Sequence, residues 1–229
     1  QDLPVYLIHA AGASVLAYRV LAHHLRGVSV YGIDDGAMLD DSVPFPFMSI
    51  KQVAKSYSRV ILRSLEQLKQ RECIIGGWSF GGVVAIEATR IVESAGYIVQ
   101  KCLLFDSPLV RTSEESDMKE REQVQKALSL FKDEAAANRA INHFVHCTEL
   151  LHKHSIGCTP LLNAKLHHFI ATDTLLPIHE VANRADMITN SEATYSMIPG
   201  SHFTILSDNN AAILANLVNS HIDEVKHLN

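Results

Sequence analysis

Apolar residues along this chain follow two alternating rhythms. Short runs bounded by turn residues, "PVYLIH" (4–9), "VSVYGID" (28–34), "ECIIGGW" (72–78) and "IVQKCLLFD" (98–106), have the length and composition of buried strands. Between them the apolar positions take helical spacing. They do so in "VLAYRVLAHHL" (15–25) and over 50–69, where Ile50, Val53, Ala54, Tyr57, Val60 and Ile61 share one face. Ser49, with Gln52 three residues on, forms a capping box for that second helix. A third helix, "GGVVAIEATRIVESAG" (81–96), closes on Gly96. This β-α-β-α order predicts an α/β fold with a mostly parallel sheet and helices on both faces.

The rhythm breaks after the strand at 98–106. From about 110 to 160 no good strand is found, and the pattern predicts two helices, "SEESDMKEREQVQKALSLF" with an acidic start and "DEAAANRAINHFVHCTELL". A helical insertion over about 110–163 reads as a lid on a single domain of 1–229. Strands return with "KLHHFIATD" (165–173) and "ATYSMIP" (193–199), and a helix over 210–225 closes the chain.

Composition narrows the function. Of 229 residues 47% are hydrophobic and 20% charged, enough apolar material for a substantial core. A net charge of -5 gives no reason to expect a nucleic-acid surface. No apolar run approaches the ~20 residues of a membrane span. The start, "QDLPVYLIHAAG", shows neither an initiator Met nor a signal-peptide pattern and reads as a piece cut from a longer polypeptide or a processed chain. Cys73, Cys102, Cys147 and Cys158 lack metal-site spacing and read as buried reduced thiols, as in a cytoplasmic protein. No metal and no directly bound cofactor is expected.

The chemistry concentrates at Gly77-Trp78-Ser79-Phe80-Gly81, a G-x-S-x-G between a predicted strand and a predicted helix. A serine on such a sharp turn stands exposed at the top of a sheet, and the flanking glycines let backbones pass closely. Neither a Walker A lysine nor a dinucleotide G-x-G-x-x-G accompanies it. A serine nucleophile needs a base, and the hydrolase order is Ser, then Asp or Glu, then His. Thirteen histidines make abundance uninformative. His202 is selected because it lies between the last strand and the last helix, at the serine's sheet edge. The pairs His23/His24, His152/His154 and His167/His168 read as surface or packing residues. Spacing leaves two acids open, Asp106 and Asp173, both at strand ends, with a tilt to Asp173. An oxyanion hole needs two backbone donors. One is the N–H of Phe80; the other comes from "HAAGAS", with Ala11 preferred over Ala10.

Together, "YLIHAAGASVLAYRVLAHHL", "GGWSFGGVVAIEATRIVESAG", "LLFDSPLV" and "IPGSHFTIL" resemble the thioesterase domains that end polyketide, non-ribosomal peptide and fatty acid synthases. The resemblance covers roughly 4–110 and 165–225, and not the lid. It implies an α/β-hydrolase fold and a serine thioesterase with Ser79 as nucleophile, His202 as base, and Ala11 with Phe80 as oxyanion donors. It also implies Asp106 as the acid, because Leu104-Phe105-Asp106-Ser107-Pro108 matches the position those integrated domains use. Asp173 matches the site used by discrete editing thioesterases and many esterases. The substrate implied is an acyl chain on the phosphopantetheine arm of an acyl or peptidyl carrier protein, with "DSP" leaning towards polyketide synthases. Release could be by water, by a hydroxyl of the chain, or by a carbon nucleophile. The first loop departs from the commoner form, having Ala10 where proline is usual. A discrete editing thioesterase or a small-ester hydrolase would use the same triad; a non-catalytic binding module of this fold would be expected to lose one of its members.

Overall fold

The computed structural model describes residues 2–37, 43, 45–110, 114–128, 133–157 and 162–226. Among these residues six strands form one sheet in the order β2-β1-β3-β4-β5-β6. They are β1 (Leu3–Ile8), β2 (Val28–Ile33), β3 (Glu72–Trp78), β4 (Ile98–Phe105), β5 (Lys165–Ala171) and β6 (Ala193–Ile198). Every neighbouring pair is parallel. The chain steps outward from β1 to β2, then returns to place β3 on the other side of β1. That reversal opens a crevice at the carboxyl ends of β1 and β3, where parallel α/β sheets bind their ligands.

Both faces of the sheet are covered, which is why its strands read as apolar runs. Along β1 the side chains alternate: Tyr6 and Ile8 join one core, Val5 and Leu7 the other. The first core is roofed by α2 (Ile50–Leu68), α3 (Phe80–Ser94), α5 (Glu134–Lys153) and α6 (Ile178–Asp186). The second is closed by α1 (Arg19–His24) and α7 (Asp208–Lys226) through Leu21, Leu214, Val218 and Ile222. Ile74 and Ile75 in β3 are fully buried on opposite faces. Each such side chain stabilises the fold by roughly 1.5–3 kcal/mol.

Most expected elements are present, with instructive differences. The first helix divides into a 3-10 turn over Val15–Tyr18 and the short α1. At α2 the Ser49 hydroxyl accepts the Gln52 N–H, but the Gln52 side chain reaches Met48 N–H and not that of Ser49. Val60, expected on the apolar face of α2, is 51% exposed, because it lies at the edge of a stripe centred on Val53, Tyr57 and Ile61. Helix α6 was not expected; the i, i+3, i+7 spacing of Ile178, Val181 and Ala185 is its signal. The insertion carries the expected helices, α4 (Glu114–Leu128) and α5, the latter capped by the Asp133 carboxylate. Cys73, Cys102 and Cys147 are buried free thiols, and Cys158 lies outside the described residues. Among the described residues no helix is long and apolar enough to cross a membrane.

Strand β5 buries two histidines side by side. His167 hydrogen-bonds Thr194 and Ser196 on β6, and His168 accepts the Ser107 N–H. Burial lowers His167 to about 3, helped by the nearby His221 and Lys101, and lowers His168 to about 4. The unfolded chain takes up these protons near the ordinary value of 6.5, so it binds more protons than the folded chain below that pH. Stability is therefore full above pH 6.5 and falls as the pH drops towards 4. Urea unfolding at pH 7.5 and pH 5 should show a loss on the order of 2 kcal/mol per buried imidazole; an unchanged midpoint would contradict it.

Candidate active site

Ser79 occupies the step between β3 and α3 with φ 54° and ψ -120°. A non-glycine residue there costs about 1–3 kcal/mol and is held only by over-determined surroundings. Those surroundings are visible. The Ser79 N–H donates to the Phe105 carbonyl (2.9 Å), and its carbonyl accepts the Gly82 N–H (3.0 Å). A Cβ at Gly77 would lie 2.2 Å from the Gly81 carbonyl carbon, and one at Gly81 would lie 2.3 Å from the Ile8 oxygen. The strand, the helix and the end of β1 thus pass each other at backbone contact. Tyr18 adds a brace, donating its hydroxyl to the Ile8 carbonyl (2.6 Å) and accepting the Trp78 N–H (2.7 Å). The Ser79 side chain makes no capping bond to the helix.

Asp106 follows β4 directly and also has a positive φ, 43°. Its N–H bonds the Phe169 carbonyl (2.7 Å), and the next N–H, of Ser107, bonds His168 Nε2 (2.9 Å). The carboxylate is fully buried and meets three donors: the Ala171 N–H (2.9 Å), the Thr174 hydroxyl (3.1 Å) and His202 Nδ1 (2.8 Å). Burial alone would raise its pKa. The hydrogen bond and charge of His202, with the Ala171 and Thr174 donors, outweigh that and hold it below the ordinary value.

His202 stands in the loop after β6, as expected. Trp78 anchors that loop: its indole N–H donates to the His202 carbonyl (3.1 Å) and the two rings lie 5.5 Å apart. With Nδ1–H directed at Asp106, the neutral form of the His202 ring carries its lone pair on Nε2. Spacing tilts to Asp173, but the carboxylate that His202 Nδ1 meets is that of Asp106. Asp173 is exposed, and its N–H bonds the Gly200 carbonyl. Asp173 stands two residues past the end of β5, whereas Asp106 is the first residue past β4, where the sheet delivers it to the histidine loop.

Ser79, Asp106, His202 and Ala11 line one cavity of about 510 Å³. Leu109, Val110, Leu151, Ile156, Leu176 and Phe203 supply much of its apolar wall. The Ala11 N–H has no acceptor among the described residues, and Phe80, the first residue of α3, carries one of the helix's orphan amides. Ala10 is buried, and its carbonyl accepts from Ala13 N–H and His9 Nδ1. Thr174, His168, Tyr18 and Trp78 were not read as site residues from the sequence. Trp78 left a signal by standing inside the motif; the other three left none. Among the described residues His9, Asp35 and His143 form a group of three whose metal-ligand atoms all lie within 4.8 Å of one another.

A model of the thioesterase domain family matches residues 3–221. The chain is 36% identical over 105 residues to an orsellinic acid synthase of Beauveria bassiana, covering 46% of this chain and 5% of that protein. It is 53% identical over 108 residues to polyketide synthase 2 of Metarhizium anisopliae, covering 42% and 5%. A thioesterase of Dothideomycetidae sp., frbD, is 30% identical over 107 residues, covering 46% and 38%. The chain therefore spans only a small part of most of these relatives. Among solved structures, ClbQ from the colibactin NRPS/PKS pathway superposes with a TM-score of 0.79 at 14% identity, covering 100% of both chains. The Vlm2 thioesterase domain bound with a dodecadepsipeptide gives 0.78 at 21% identity, covering 96% of this chain and 97% of that one. These likenesses establish a common fold, the α/β-hydrolase fold expected from the sequence. With a family match that runs from β1 into α7, the chain belongs to the thioesterase domain family.

Proposed function

We propose that this domain releases an acyl chain of the polyketide kind from a carrier protein through an acyl-serine intermediate. The observation that carries the reading is the 2.8 Å His202–Asp106 hydrogen bond on the wall of the same cavity as the strained Ser79. The named polyketide synthases among the relatives support the substrate class and the carrier-protein partner.

His202 Nε2 takes the Ser79 proton as Oγ attacks the thioester carbonyl. The Phe80 and Ala11 N–H groups face the oxyanion that forms. The intermediate collapses, the C–S bond breaks, and the His202 proton leaves with the phosphopantetheine thiol. Asp106 orients His202 and stabilises its imidazolium throughout. A second nucleophile, deprotonated by His202, then attacks the Ser79 ester and returns the serine. Water gives an acid, a chain hydroxyl a lactone, and a carbon nucleophile a closed ring. A cavity of about 510 Å³ lies inside the common range for small-molecule sites, about 300–1,000 Å³. Its mixed lining suits a chain carrying both apolar carbon and oxygen functions.

Intact-protein mass spectrometry after loading with an acyl thioester should show one acyl mass on the wild type and none on Ser79→Ala. Turnover of that variant should fall by several orders of magnitude; wild-type turnover by Ser79→Ala would refute the assignment. Asp106→Asn should lower kcat on the order of 10³–10⁴-fold, since it presents the wrong partner to Nδ1. Asp173→Asn should stay within about threefold of wild type, as exposed substitutions away from the chemistry usually do. The reverse ranking would exchange the two acids.

A further inference from the structure

The loop that carries Ala11 is gripped from two sides by histidines. On one side His9 Nδ1 donates to the Ala10 carbonyl (3.0 Å), and His9 Nε2 accepts from the Tyr57 hydroxyl of α2 (2.7 Å). On the other side the grip comes from the lid. The Gly12 N–H donates to His143 Nδ1 of α5 (3.0 Å), and His143 Nε2 meets Asp35 Oδ2 beyond β2 (2.7 Å). The proton positions follow. Nδ1 of His143 must be bare to accept from Gly12, so Nε2 carries the proton and donates it to the carboxylate. Every donor then has an acceptor, and the Nε2 lone pair a metal would need on His143 is occupied by a proton.

Helix α5 also presses on this loop sterically. Gly12 has φ +66°, and a Cβ there would stand 2.9 Å from both the Ala140 oxygen and Phe144 Cβ. His143 and Asp35 are nearly sealed from water, with side chains each 3% exposed. Burial works to raise the Asp35 carboxyl, but the hydrogen bonds from His143 and the Ala37 N–H hold it below its ordinary value.

We propose that His143 is a positioning residue for the oxyanion hole, so that seating of the lid helix and correct placement of the Ala11 amide are one event. This rests on the acyl-transfer reading above. The Gly12 N–H belongs to the peptide plane immediately after Ala11, so its bond to the lid restricts the torsions that aim the preceding amide. With α5 lifted, Gly12 loses its acceptor and the loop loses the surface that packs on it. An enzyme built this way assembles its oxyanion hole only beneath a seated lid.

His143→Leu removes both hydrogen bonds at similar volume. His143→Asn keeps an acceptor near the Nδ1 position. The helix retains independent anchors, His146 Nε2 on the Phe47 carbonyl (2.8 Å) and His154 on Glu87 (3.1 Å), so both variants should keep the fold, with thermal unfolding as the check. In a Ser79-dependent acyl-thioester assay, His143→Leu should lose roughly 10- to 100-fold in kcat with KM changed less than about threefold. His143→Asn should recover most of that loss. Amide hydrogen exchange of residues 9–14 should rise in His143→Leu and not in His143→Asn. An unchanged kcat in His143→Leu, or equal losses in both variants at equal thermal stability, overturns the role. One equivalent of zinc in the purified wild type, absent from His143→Leu, overturns the proton assignment and the clasp with it. A wild type without Ser79-dependent turnover refutes the acyl-transfer reading and the catalytic role built on it, while exchange at 9–14 still decides the clasp.

Discussion

Asp106 carries a charge into a place that water does not reach, and groups from three other segments must meet it there. The Ala171 N–H comes from the end of β5, the Thr174 hydroxyl from the loop beyond it, and the His202 imidazole from the loop after β6. Leaving such a charge without a partner typically costs about 3–5 kcal/mol. The requirement therefore couples the ends of three neighbouring parallel strands. It also explains the company Asp106 keeps along the backbone: its own N–H is paired to Phe169 and the next to His168, so a residue with φ 43° has little freedom to relax.

A second constraint acts on the serine side. Ser79 is held in its unusual conformation by backbone packing more than by side chains, with Gly77 and Gly81 admitting the helix and β1 to distances no Cβ permits. Tyr18 and Trp78 then tie this turn outward. Tyr18 joins it to the end of β1 before the Ala11 loop, and Trp78 joins it to the loop that carries His202. A tryptophan inside the motif thus holds His202 from a distance of 124 residues in sequence, through one indole N–H.

The abundance of histidine acquires a physical account. Several of these side chains hold segments together through hydrogen bonds that bridge distant parts of the chain. His9 and His143 grip the Ala11 loop, the partly buried His146 and His154 anchor α5, and His168 fixes the turn after Asp106. Imidazole suits this work because one ring can accept from a backbone N–H and donate to a carboxylate at the same time. Its cost is a fold that weakens in acid, where burial opposes the charge the ring would otherwise take.

The parallel sheet, the serine turn, and the places of Asp106 and His202 at strand ends were legible in the sequence. Each depends on local features: apolar runs, glycine spacing, and chain order around a single sheet. Ser79 could be named from five residues because the turn is made by those residues. Other features were not legible. Spacing alone favours Asp173, the helical pattern puts Val60 on a buried face, and the short pattern of α6 is too brief to stand out. Neither Thr174 nor His168 nor His143 carried any local mark. Their partners lie 68, 61 and 131 residues away, and which of two carboxylates meets a histidine depends on how far each strand extends before its loop begins. The sequence determined which strands run parallel and which serine stands at their ends. The tertiary structure decided which buried groups satisfy one another, because that choice is made by desolvation across the packed sheet edge and not by neighbours along the chain.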